Sequence, residues 1–171
     1  ARPGKASRES VTMWFEQKAA ALPNAALIQP QERISSYELI QLSKFILTYN
    51  SQIGLESMLM GVPALGAGQA PFVDFDTVYF ERDQEAYLRR LEMFLAAPRL
   101  EVTPEAVKRT RRFMYYRYYR FSLPFGDFVE STLPIGYVRL KKFSWRELEK
   151  SPTAQALLNG LLYSKPFELE S

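Results

Sequence analysis

The residues best suited to do chemistry lie where a polar strand end runs into a helix start. They are Thr48-Tyr49-Asn50-Ser51-Gln52-Ile53-Gly54, with Glu56 one turn further on. Residues 45–49 are a short, apolar, β-prone run, and Asn50 and Ser51 are helix-capping types. Ile53, Leu55, Met58 and Leu59 recur at roughly helical spacing, and Gly61 is a C-terminal stop. Val62-Pro63-Ala64-Leu65 opens the next strand, with Pro63 near its beginning, where a missing N–H is tolerated. A strand end that feeds a helix N-terminus presents backbone N–H groups and the positive end of the helix dipole. The chemistry this predicts is retention of a phosphate or carboxylate at the carboxyl edge of a parallel sheet. Plainer readings stand beside it. Asn50 and Ser51 serve equally as caps, Glu56 suits the dipole wherever it points, and Gly54 fits either phosphate approach or helix–strand packing.

Composition narrows the rest. The 171 residues contain no Cys and no His, which excludes disulfides, thiolate catalysis, zinc clusters built on those ligands and His-based triads. Acid–base chemistry would have to fall to Asp, Glu, Tyr or Lys, or to a substrate group. Asp74 and Asp76 lack a supporting cluster and read as loop residues rather than a metal pair. No run approaches the ~18 apolar residues of a membrane span. The first residues, Ala1-Arg2-Pro3-Gly4-Lys5, lack a signal-peptide core and do not begin with Met, so a longer chain is expected to precede them.

Elements that could position the site follow from capping and periodicity. A helix is expected from Ser7 or Arg8 to Leu22, and a short strand over residues 25–29. Ser35-Ser36-Tyr37-Glu38 is a capping box opening a helix through Ser43. Gly66-Ala67-Gly68-Gln69-Ala70-Pro71 is a loop at the same sheet edge as Asn50, though two glycines are a weak phosphate-loop signal. Residues 77–80 form another strand, and Asp83 caps a helix to about Ala96. Alternating short strands and helices predict an α/β fold: a partial Rossmann-like parallel sheet with helices on both faces over residues 1–98.

After Pro98 the character changes, and residues 99–171 read as an α-helical appendage. Thr103 caps a helix with Pro104 at its first position, spanning residues 105–121. Its six cations include Arg111, Arg112 and Arg117, six aromatic rings fill the gaps, and no acid follows Glu105. Three readings fit. In one, Val107, Phe113, Met114, Tyr118 and Phe121 pack inward under solvated arginines. In another, the helix lies on an anionic membrane surface. Nucleic-acid binding needs the same composition, but no RNA or DNA fold signal accompanies it. Ser144-Trp145-Arg146-Glu147 is a second capping box, and Ser151-Pro152 opens a last helix to about Tyr163.

The stretch from Arg2 to about Leu95 resembles the C-terminal, donor-binding half of GT-B glycosyltransferases, especially the capsular-polysaccharide type. The resemblance rests on Arg2-Pro3, Ser35-Ser36-Tyr37-Glu38-Leu39-Ile40, Thr48-Tyr49-Asn50-Ser51, Gly54-Leu55-Glu56-Ser57 and Gly61-Val62-Pro63, in that order. The pattern is similar, more loosely, to teichoic-acid glycerophosphotransferases and non-hydrolysing sugar-nucleotide epimerases. It implies a nucleotide-sugar donor with its phosphate near Arg2 and against the amides of Gln52 and Ile53. It also implies Glu56 accepting ribose or sugar hydroxyls, no further cofactor, and a cytoplasmic seat, peripheral on the inner membrane face. Three departures matter. Arg2 stands where the family has a His, the usual Ser-Thr pair is Ser51-Gln52, and the acceptor half and first donor-half strands lie outside these residues. If the sheet keeps the order 3-2-1-4-5-6 of Rossmann halves, the missing strands belong between residues 25–29 and 45–49. The expected partners are therefore the missing N-terminal half or another copy of the chain, drawn to unpaired strand edges. A non-catalytic binding or assembly module is the alternative that the same departures allow.

Overall fold

The structure, a computed structural model, describes residues 9–29, 31–130 and 138–169. The chain forms two compact units, residues 1–42 and residues 43–171.

In the first unit, α1 (Val11–Lys18) starts at Ser10, whose Oγ accepts the Met13 N–H at 3.3 Å. It stops short of the expected Leu22, because Ala20 N–H donates five residues back to Phe15 O and the chain then turns. The helix α2 (Ser36–Gln41) has the expected capping box: Ser35 N–H donates to Glu38 Oε2 at 3.1 Å. The strand expected at residues 25–29 does not form. Its ends are tied locally instead: Ala25 N–H donates to Leu22 O at 3.2 Å, Gln29 O accepts from Glu32 N–H at 3.0 Å, and Gln29 N–H donates to Glu32 Oε1 at 2.6 Å.

The second unit is a mixed α/β body. Its sheet has three parallel strands in the order β1 (Ile46–Thr48), β2 (Ala64–Gly66), β3 (Tyr79–Phe80). Ile46 pairs with Ala64 and Thr48 with Gly66, while Leu65 pairs with Tyr79. Between β1 and β2 runs α3 (Ile53–Leu59), which ends in a Schellman motif. Val62 N–H donates to Ser57 O at 3.0 Å and Gly61 N–H to Met58 O at 3.2 Å, with Gly61 at φ +83°, the left-handed region open to glycine. After β3, Asp83 accepts the Ala86 N–H at 2.8 Å and starts α4 (Gln84–Ala96).

Strand alternation sends Ile46, Thr48 and Ala64 to one face, and Phe45, Leu65 and Tyr79 to the other. α3 covers the first face, and Leu55 and Met58 are almost fully buried. α4 covers the second, where Phe94 meets Phe45 and Tyr79 edge-on at 5.3 and 5.1 Å.

The break expected after residue 98 is not where packing divides the chain. α5 (Pro104–Tyr115) lies against α3, and Ala106 joins the same core as Leu55, Met58, Ala64 and Val78. Thr110 is fully buried, and its hydroxyl donates to Thr77 O at 2.9 Å. The helical tail continues through a π-helical turn (Tyr116–Arg120), α6 (Trp145–Lys150) and α7 (Pro152–Tyr163). Ser144 and Ser151 cap the last two as their sequences predict. Among the described residues no helix is long and apolar enough to cross a membrane.

Candidate functional site at the carboxyl edge of the sheet

The carboxyl ends of β1 and β2 are tied together just past the sheet. Ala67 N–H donates to Thr48 O at 2.8 Å and Gly68 N–H to Tyr49 O at 2.7 Å. The Tyr49 ring lies over Gly68, where a Cβ would sit 2.8 Å from it, so the absence of a side chain lets the two loops close. Asn50 and Ser51 follow, both exposed, and lead into α3.

The backbone at this helix start is largely turned in on itself. Ser51 Oγ accepts the Ile53 N–H at 3.3 Å, and Gly54 N–H donates to Ser51 O at 3.2 Å. The Ile53 amide expected on a phosphate is therefore engaged by the cap, and Ser51 carries the capping role that its residue type suggests. Gly54 faces the sheet. A Cβ there would lie at ordinary contact distances, 3.4 Å from Val78 Cγ1, 3.5 Å from Thr48 Oγ1 and 3.7 Å from Ala64 Cβ, so a methyl fits at this position and a larger side chain does not. Glu56 is half-buried in the first turn of α3. Arg2 lies outside the described residues.

A cation that sequence reasoning assigned to a different surface stands here instead. The Gln52 carboxamide oxygen, oriented to face it, lies 3.2, 3.1 and 2.9 Å from Nε, Nη1 and Nη2 of Arg117. In that orientation the Gln52 oxygen accepts from the Arg117 guanidinium, which fixes the cation beside the start of α3. None of the ion pairs among the described residues involves Arg117.

Arg117 is brought here by helical periodicity. Ala106 and Thr110 are buried, Phe113 is half-buried against the core, and Arg117 continues that stripe at positions i, i+4, i+7 and i+11. Arg111 and Arg112 lie off the stripe and are exposed, as expected for surface cations. The signal was present in the sequence, but the density of arginines hid which one faced inward.

The inward packing considered for Tyr118 and Phe121 does not occur; they are 51% and 74% exposed. The π turn is the cause. Phe121 N–H donates to Tyr116 O five residues back, so the register of the stripe is lost beyond Arg117. Phe121 pairs with the Tyr116 ring at 5.9 Å instead. Asp74 and Asp76 serve the loop beside β3: Asp74 pairs with Arg82 at 3.0 Å, and Asp76 O accepts from Arg109 Nε at 3.2 Å.

Beside Arg117 opens a cavity of about 440 Å³ lined by Pro71, Phe75, Phe113, Tyr116, Phe121 and Ser122. The cavity sets Arg117, next to the sheet's carboxyl edge, among aromatic rings. Compared with known proteins, the chain matches no family model, no curated protein and no solved structure.

Proposed function

We propose that this chain is the donor-binding half of a GT-B type sugar transferase in surface-polysaccharide assembly. It would hold the phosphates of a nucleotide sugar between the start of α3 and Arg117. One observation carries the reading: the Arg117 guanidinium meets Gln52 at the carboxyl edge of a parallel sheet, where α/β proteins hold such ligands. A planar fork matches two phosphate oxygens and stabilises charge developing on a leaving diphosphate. Ser51 and Asn50 flank the same edge, and Glu56 is assigned to a sugar or ribose hydroxyl. Arginine keeps its proton, so it binds but does not act as a general acid. The catalytic base belongs to the other half, and the chain alone binds without turnover. Calorimetric titration with UDP-glucose tests this. Arg117→Gln should weaken binding by about 1.5–3 kcal/mol, the worth of a charged hydrogen bond. Unchanged affinity in that variant would remove the site.

The exposed rings of Tyr115, Tyr118, Tyr119 and Phe121, with Arg111, Arg112 and Arg120 exposed nearby in sequence, favour a second role: peripheral contact with an anionic membrane. Sedimentation with phosphatidylserine vesicles at low and high salt should show salt-sensitive binding that falls in the Arg111→Gln/Arg112→Gln variant. Binding indifferent to salt and to that change would exclude it.

A further inference from the structure

The cavity beside Arg117 is larger than a phosphate needs, and its walls have the wrong chemistry for one. Two ring pairs line it: Phe75 with Phe113, centroids 5.1 Å apart, and Tyr116 with Phe121, 5.9 Å apart. Both pairs are tilted by 45°, so neither closes into a stacked sandwich. Phe113 is anchored through an edge contact with buried Phe72 at 6.4 Å, which gives the hollow one fixed wall. Tyr116 and Phe121 are 57% and 74% exposed, one opening the π turn and the other capping its end, which gives it one adaptable wall. The only charged side chain on the lining is Arg117, and Ser122 contributes a hydroxyl that already donates to Arg117 O at 2.8 Å. At about 440 Å³ the space is within the range of small-molecule pockets.

The geometry points to a base subsite: the nucleobase of a nucleoside diphosphate lies among Phe113, Tyr116 and Phe121 while its phosphates meet Arg117. This rests on the proposed donor reading and extends it, by placing the base against the helical tail. The occupant must be flat and apolar at one end and anionic at the other, because the lining is mostly rings with a single cation among them. Stacking on aromatic rings tolerates any base, so the subsite binds the class of nucleoside diphosphates with little choice among them.

The test compares UDP, ADP and inorganic pyrophosphate by calorimetry on the full chain. UDP and ADP should bind at least tenfold more tightly than pyrophosphate. Phe121→Ala and Tyr116→Ala, at exposed positions where folding is not at stake, should each weaken both nucleotides about five- to tenfold and leave pyrophosphate unchanged. Arg117→Gln should weaken all three. If the alanine variants leave nucleotide affinity intact while Arg117→Gln reduces it, the base subsite is wrong and the phosphate site survives. If Arg117→Gln changes nothing, the donor reading itself falls. Equal affinity for UDP and pyrophosphate in the unaltered chain overturns the subsite directly.

Discussion

The start of α3 and the end of α5 meet at one sheet edge but contribute to it differently. At α3 two amides are engaged by Ser51: its Oγ accepts the Ile53 N–H, and its carbonyl accepts the Gly54 N–H. At the end of α5 the backbone relaxes into a π turn, and a side chain, Arg117, is delivered to the edge, where it meets Gln52. The Ile53 and Gly54 amides are engaged locally, and the proposed donor site therefore takes its cation from the neighbouring helix. A helix N-terminus in a sequence is therefore an incomplete statement about where an anion binds. In the proposed site the partner of the anion, Arg117, lies 65 residues beyond Gln52.

The largest way to break this contrast is to disturb the seat of α3. Gly54→Val places a branched side chain where even a Cβ meets Val78, Thr48 and Ala64, and should cost about 1–3 kcal/mol of stability in urea unfolding. Gly54→Ala makes only ordinary contacts and should leave both stability and donor affinity close to unchanged. A large loss of affinity in Gly54→Ala with stability intact would return Gly54 to phosphate binding. Ser51→Ala removes a cap and should cost about 1 kcal/mol of stability. Donor affinity should fall less than in Arg117→Gln; the reverse ranking would make Ser51, not Arg117, the anion's main partner. The smallest effect is set by pH and lies far from the site. The Ser144 backbone N–H, followed by its hydroxyl, holds the Glu147 carboxyl below its ordinary value. A depressed folded value means that the contribution is present above the unfolded value and lost as pH falls through the folded one. Acid titration should thus fray α6 below the usual carboxylate range, visible in the amide shifts of residues 144–150. Glu147→Gln should abolish that acid step.

Local signals explain what was legible. Ser35, Asp83, Thr103, Ser144 and Ser151 all cap where their residue types and neighbours predict, because a cap depends on a few adjacent atoms. The β1–α3–β2 unit and the stop at Gly61 are similarly local. Residues 25–29 are β-prone without pairing, since a strand exists only where a neighbour completes its hydrogen bonds. What Gly54 packs against depended on Val78, twenty-four residues away. Arg117 was the hardest to place. Its stripe of Ala106, Thr110 and Phe113 is readable, but what that stripe faces is a tertiary fact.

The central claim is that Arg117, rather than the amides of α3, meets the anion. The most direct measurement is a nitrogen-15 titration with UDP that follows the Arg117 Nε–H and the Gln52 side-chain amide beside the backbone amides of Ile53 and Gly54. The account predicts that the Arg117 and Gln52 side-chain signals move first and furthest, saturating together with the calorimetric binding curve. Movement confined to the Ile53 and Gly54 amides, with Arg117 Nε–H unmoved at saturation, would contradict it.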